Sequence, residues 1–348
     1  MTAQSFPTPT SLMYQEALSA GDCVARQLAQ DADRYAELGR ALRSTNFHSA
    51  VTVARGSSDH ASSYLAYLIM ARMGRLVTSL PMSLITLYKS PLVTRDTLAV
   101  SISQSGQSPD VVEPITYFRD GGATTVALVN DAASPLARAA EWTMPLHAGK
   151  EQSVAATKSF IASMVAGARL VAEWQNDPEL KDGIAALPDA LRLAAQADWS
   201  PAIEVLAPAR NIMVVGRGIS FPVALESALK FKETSALQAE AFSGAEIKHG
   251  PMALIEEGYP LLIFATRGPA QAGLVALAEE MRGRGARVLL AAPEDIASRD
   301  LTLPTATIPD LDPIAAIQAF YMMAARLSEA RGLDPDKPRH LSKVTKTN

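Results

Sequence analysis

Cysteine is nearly absent from this 348-residue chain. The single one, Cys23, excludes an internal disulfide and any thiolate metal cluster, so no metal is expected. A basic surplus is missing as well. Lysine and arginine number 32 against 36 acids, the net charge is −4, and no Lys/Arg run concentrates positive charge; nucleic acid is therefore not an expected partner. The opening MTAQSFPTPTSLMYQEA lacks the basic segment and apolar run of a secretory signal. No apolar stretch reaches the length of a membrane span. The expectation is a soluble cytoplasmic protein with no membrane partner.

What is present is an ordinary globular composition, 48% apolar and 20% charged, in a chain long enough for two domains. Residues 1–10 read as a loose arm, and apolar spacing from Ser11 to about Arg43 is helical. Apolar runs at Ala50–Ala54, near Arg75–Thr78, at Leu98–Ile102 and at Thr124–Val129 read as strands, with helices between them, notably Ser108 to about Arg119. Such alternation predicts an α/β fold with a mainly parallel sheet. The second half echoes the first. Gly56 and Gly218 each follow an arginine and a strand, at an offset of 162 (218 − 56); Gly106 and Gly268, and Val126 and Val288, keep the same spacing. The expectation is two copies of one αβα unit, joined through a helical region from about Ser159 to Pro208. The divisions are 1–45 for an N-terminal arm and helices, 46–175 and 209–331 for the two units, 176–208 for the connector, and 332–348 for a tail.

Two stretches carry chemistry. The loop Ser103-Gln104-Ser105-Gly106-Gln107-Ser108 is rich in hydroxyls and leads into a helix, with Ser108 placed to cap it and Pro109 in its first turn. Its counterpart, Ala265-Thr266-Arg267-Gly268-Pro269-Ala270, has lost the serines. Free N–H groups and hydroxyls at a helix start suit an anion, best a phosphate. The other stretch is Val214–Pro251. A helix expected from about Phe221 to Phe242 puts Glu226, Lys230 and Glu233 on one face. These are either a surface ion pair or an acid and base aimed into a cleft. A loop then brings Glu246, Lys248 and His249. Neither glycine turn reads G-x-G-x-x-G, so no dinucleotide, and no other cofactor, is expected.

With these residues, the chain resembles the sugar isomerase (SIS) family, and within it the isomerase half of glutamine–fructose-6-phosphate amidotransferases. The markers are Ser101–Gly106, Ser153–Lys158, Ala224–Glu233, Glu246–Pro251 and Pro338–Lys343. The resemblance implies two tandem SIS domains, each a flavodoxin-like parallel-sheet sandwich. It implies phosphate binding by Ser103, Gln104, Ser105 and Ser108. Gly56, Ser57, Ser58, Val154, Ala156 and Glu226 would lie along the sugar, although the synthases usually carry Ser where Ala156 stands. Glu233 would move a proton between C1 and C2 with Lys230 beside it, and His249 would open the ring from the second subunit of a homodimer. Lys343 would form an imine with the keto sugar.

Those residue types suit the work. Histidine exchanges protons near neutrality, one carboxylate over two carbons can shift hydrogen between them, and an amine can hold a ketose as an imine. The synthases begin with a glutaminase domain whose nucleophile is an N-terminal cysteine. Here Met1-Thr2-Ala3 opens the sequence and only about 50 residues precede the first strand, too few for a further domain. The expectation is therefore a glucosamine-6-phosphate deaminase, giving fructose 6-phosphate and ammonia. Three alternatives stand beside it: an aminotransferase (isomerizing) without its glutaminase domain, a deaminase or deglycase of another phosphorylated amino sugar, and a sugar-phosphate sensor without turnover.

Overall fold

The structure, a computed structural model, describes residues 10–343; nearly all of the expected N-terminal arm lies outside the described residues. Three helices lead in: α1 (Leu12–Leu18), α2 (Ala20–Leu28) and α3 (Ala32–Ser44). The helical run divides at Ser19 and again after Leu28, where Ala29 caps α2 and Asp31, at φ 57°, stands at the N-cap of α3. Then come β1 (Ser49–Val53), α4 (Ser57–Met73), β2 (Val77–Ser79), α5 (Ser83–Thr86) and β3 (Thr97–Ser103). They are followed by α6 (Pro109–Asp120), β4 (Thr124–Val129), α7 (Pro135–Ala139) and β5 (Trp142–Pro145). The helices α8 (Lys158–Gln175), α9 (Pro178–Ala185), α10 (Leu187–Ala194) and α11 (Ser200–Leu206) lead to a second sheet. That half contains β6 (Asn211–Gly216), α12 (Phe221–Ser235), β7 (Gln238–Ser243), β8 (Pro260–Phe264), α13 (Gln271–Gly283), β9 (Arg287–Ala292), β10 (Leu301–Thr302) and α14 (Asp312–Ala330).

Each sheet has five strands, all parallel, ordered β2-β1-β3-β4-β5 and β7-β6-β8-β9-β10. The two orders are the same, and both are the flavodoxin-like 2-1-3-4-5. Helices cover both faces, which is why the central strands read as unbroken apolar runs. The inner faces share one core: Leu98, Val100 and Ile102 of β3 and Leu262 and Phe264 of β8 belong to the same apolar cluster as α8 and α14. Both of those helices are buried on nearly every side, as helices apolar all round must be. The stretch from Ser159, expected to join the two units, thus begins inside the core.

Two expectations need correction. Met213 pairs with Leu261 as Val51 pairs with Ala99, preserving the offset of 162 (213 − 51). However, Val100 pairs with Val126 whereas Leu262 pairs with Leu289. The counterpart of Val126 is therefore Leu289, not Val288, at an offset of 163 (289 − 126): one residue is inserted before β9. The helix expected to reach Phe242 ends at Ser235. Ala236 takes φ 49° and Leu237 N–H closes on Phe231 O at 3.1 Å. Gln238–Ser243 then extends to pair with β6, where a strand can satisfy its main chain and bury Ala239 at the sheet edge. The loop carrying His249 therefore follows a strand, not a helix.

Candidate active site

In the first sheet, β1 and β3 lie side by side and their connections leave in opposite directions. The crevice beyond their carboxyl ends is the natural ligand position of such a sheet. Gly56–Ser58 and Ser103–Ser108 meet there. Ser58, Ser103, Gln104, Ser105 and Ser108 line a cleft of about 240 Å³, with Arg55 and Lys343 as its cations. Gly56 turns the chain at φ 55°, and Gly106 at φ 61°. At Gly106 a side chain is also excluded by space, since a Cβ would lie 2.2 Å from Ser134 Oγ. Ser103 Oγ accepts the Gly106 N–H at 3.0 Å. Ser108 stands at the N-cap of α6, but its side chain makes no capping bond. Arg55 Nε reaches Asp110 Oδ2 at 3.0 Å. At the matching loop of the second half, Arg267 fills the equivalent place, bonded to both oxygens of Asp312 (2.7 and 2.8 Å) and to Ala306 O (2.6 Å).

The acid–base group lies on α12. Lys230 is fully buried, 3.4 Å from Glu226 Oε1, and also bonds Glu233 Oε2. The spacing read from the sequence is thus a buried triad, not a surface pair. Ser57 ties it to the cleft by donating to Glu226 Oε1 at 3.0 Å and accepting from Lys230 Nζ at 3.1 Å. Tyr321 of α14 gives Glu226 Oε1 a further hydrogen bond at 3.0 Å. His60 Nδ1 lies 2.8 Å from Glu226 Oε2. Burial raises the cost of charge on Glu226, yet Lys230, His60 and Ser57 together hold its pKa below the ordinary carboxylate value. An ionised carboxylate only accepts, so His60 Nδ1 carries the hydrogen. Burial also opposes the charge on Lys230; Glu226 and Glu233 outweigh it, and its pKa lies above the usual ammonium value. Glu233 remains partly open, with 21% of its side chain exposed. It faces a second cleft of about 580 Å³ between the end of α12 and the tail.

The tail is held at two points. Asp336 caps α1, accepting from Leu12 N and Met13 N at 2.7 Å each, and its carbonyl accepts from Val154 N at 3.3 Å. Lys343 Nζ bonds Glu151 Oε2 (3.0 Å) and Ser153 O (2.7 Å). Glu151 is buried and takes Thr157 N, Ser159 N and Ser159 Oγ. Burial works against its charge, but Lys343 and these donors bring its pKa below the ordinary value. Glu16 of α1 accepts from Gln152 N and Ser153 N, so α1 braces the same loop from behind. In this state Lys343 is a paired ammonium at the anion cleft.

The structure therefore brings Gly56, Ser57, Ser58, Ser103, Gln104, Ser105, Ser108, Glu226, Lys230, Glu233 and Lys343 to one region at the strand ends of the first sheet. Val154 and Ala156 are half-buried, and the Val154 N–H bonds the tail at Asp336 O. His249 is not brought in. It is exposed, and among the described residues only its N–H is engaged, bonding Glu246 O at 2.8 Å. Sequence reasoning gave no role to His60, Tyr321, Glu151, Glu16 or Asp336. His60 stood next to the first glycine turn, one helical turn after Gly56, and was within reach. Tyr321 is 95 residues from its partner and left no local signal.

Two like-ordered parallel sheets around one core, with a hydroxyl-lined cleft at the switch point of the first, define a class of double-unit α/β proteins with a strand-end ligand site. The chain belongs to the SIS domain family, whose model matches residues 45–172 and 205–323. Among curated relatives, glutamine–fructose-6-phosphate aminotransferase [isomerizing] of Zymomonas mobilis is 32% identical over 84% of this chain and 51% of its own length. A protein of the same name from Thermus thermophilus is 33% identical over 88% and 53%. The chain thus spans about half the length of the curated relatives it matches. A crystal structure from Silicibacter pomeroyi, of a protein provisionally named a phosphosugar isomerase, superposes with a TM-score of 0.90 at 38% identity, covering 94% of this chain and 100% of that one. Glucosamine-6-phosphate deaminase of Thermotoga maritima shares the fold, with a TM-score of 0.78 at 20% identity over 97% of this chain and 100% of that one.

Proposed function

We propose that the chain catalyses aldose–ketose proton transfer on a phosphorylated amino sugar, converting glucosamine 6-phosphate and water to fructose 6-phosphate and ammonia. The observation that carries this reading is the hydrogen-bonded path Glu233–Lys230–Ser57, which ties a half-open carboxylate to a hydroxyl-lined anion cleft. The phosphate is held by Ser103, Gln104, Ser105, Ser108 and the start of α6. Glu233 takes the proton from C2 of the open-chain sugar and returns it to C1. The C2 imine so formed adds water and releases ammonia, leaving the ketone. Lys230, kept charged by Glu226, fixes the Glu233 carboxylate. Lys343 leaves Glu151 to bind the phosphate or, once deprotonated, to hold the ketose as an imine. His249 acts in ring opening from a second copy of the chain, consistent with its exposure and with its side chain having no partner among the described residues. Supplied with ammonia, the same steps run backwards as an amination of fructose 6-phosphate.

The test is ammonia release from glucosamine 6-phosphate, coupled to reductive amination of an oxoacid. Steady release with formation of fructose 6-phosphate is expected. Tight binding of the sugar without turnover would move the chain to the sensors.

A further inference from the structure

The two cations on the anion cleft, Arg55 and Lys343, are held in different ways. The Lys343 ammonium bonds Glu151 Oε2 at 3.0 Å and Ser153 O at 2.7 Å. The Glu151 side chain is completely buried, so moving that ammonium to a phosphate would leave a buried charge unpaired, a strongly unfavourable change. Arg55 carries no such cost. Its Nε donates to Asp110 Oδ2 at 3.0 Å, and its two terminal nitrogens form no hydrogen bond or ion pair among the described residues. The Arg55 side chain is 60% exposed and that of Asp110 only 9%. One nitrogen of an open guanidinium is thus tied to a buried carboxylate, and the other two are available. Asp110 is itself on the cleft lining, in the first turn of α6.

The second half keeps the arginine and drops the anchor. Arg217 precedes Gly218 as Arg55 precedes Gly56. The place of Asp110 is taken by Ala272 (272 − 110 = 162), the second residue of α13 as Asp110 is of α6. Arg217 pairs with no acid among the described residues. The acid therefore occurs in the half that has the serine loop, and not in the half that lacks it.

We infer that Arg55 is the cation of the phosphate subsite, oriented by Asp110, and that Lys343 is thereby left to hold the ketose. The inference rests on the phosphate cleft of the proposed function. A guanidinium fixed through Nε offers two N–H donors in a planar fork, which matches a pair of phosphate oxygens. Asp110 fixes that fork, and its negative charge on an anion cleft is compensated only while Arg55 stands beside it. Lys343 keeps its own partner throughout. Its ammonium and the C2 carbonyl condense with loss of one water, and the protonated imine so formed retains the positive charge at Nζ that Glu151 requires.

The probe is glucitol 6-phosphate, which has the phosphate but no carbonyl and so forms no imine. Its dissociation constant is measured by calorimetry on the full chain and on its variants. Arg55→Gln should weaken binding about 30-fold, the usual worth of a charge-assisted pair. Arg55→Lys should weaken it about tenfold, because it keeps the charge and loses the fork. Adding Asp110→Asn to Arg55→Gln should recover at least about threefold, a coupling that a merely structural pair would not give. Lys343→Gln combined with Glu151→Gln removes both charges of the other pair. That variant should bind the probe within about threefold of the wild type, yet borohydride should no longer trap it with fructose 6-phosphate, whereas Arg55→Gln at saturating sugar is still trapped. Unchanged affinity in Arg55→Gln overturns the inference and leaves the proposed function standing. So does an equal loss in the Lys343 and Glu151 variant, which would make Lys343 the phosphate cation. Absence of recovery in the Arg55 and Asp110 double variant overturns the part given to Asp110. A wild-type chain that does not bind the probe removes the phosphate cleft, and the proposed function with it.

Discussion

Glu226 is the residue on which the proposed site chemistry depends, and it is fully buried. Both its oxygens are occupied, one by His60 and the other by Ser57, Tyr321 and Lys230. Removing its charge leaves Lys230 buried with Glu233 alone. Glu226→Gln should therefore cost about 3–5 kcal/mol, the usual penalty for breaking a buried pair, read from the urea midpoint. The pH dependence follows from the same contacts. Glu226 and Glu151 have folded pKa values below 4.5, so their contribution is complete above that value and declines as pH falls through the folded ones. Lys230 lies above 10.5 when folded, so its contribution is complete below 10.5 and lost only at higher pH. Urea midpoints should show no loss attributable to these groups between about pH 5 and about pH 10, and Glu226→Gln should flatten the acid limb. The spacing of Glu226, Lys230 and Glu233 made the triad legible in the sequence, because a helix places i, i+4 and i+7 on one face. Its burial was not legible, since that depends on α4 and α14, which the chain brings in from far away.

At the scale of elements, the β3–α6 turn and the tail do the positioning. Gly106 combines a left-handed backbone with a 2.2 Å approach to Ser134. Gly106→Ala should cost about 1–3 kcal/mol and weaken sugar-phosphate binding by calorimetry, whereas Gly273→Ala, in an open helical position, should not. The strand-to-helix sense of this loop was readable from its serines and from Pro109. The end of α12 was not, because nothing in Ala236-Leu237-Gln238 competes with helix until β6 offers a main-chain partner. Asp336 is the tail's anchor. Asp336→Ala removes both bonds to the start of α1, and trypsin should then cut after Arg339 at least several-fold faster while the sheets stay intact, a local opening and not a global one. Equal cleavage rates would show that Lys343 and Glu151 hold the tail unaided.

At the scale of the whole molecule, the two units share a strand order and differ in one loop. Arg267 and Asp312 close in the second half what the serines leave open in the first, so one anion cleft is expected per chain. The offset of 162 made the doubling legible, and the inserted residue before β9 shows where such counting slips. The proposed role of His249 belongs to this scale too, because it needs a second copy of the chain. Mixing His249→Ala with Glu233→Gln chains should restore part of the activity that each lacks alone, and verified mixed dimers with none would remove His249 from the site. The central claim is that Glu233 moves the proton. It is tested most directly by following, by proton NMR in deuterated water, exchange of solvent deuterium into C1 of fructose 6-phosphate in the presence of ammonia. The wild-type chain should exchange, and Glu233→Gln should exchange roughly 100-fold or more slowly with an unchanged dissociation constant for an unreactive sugar phosphate. Exchange at the wild-type rate in Glu233→Gln would contradict the account.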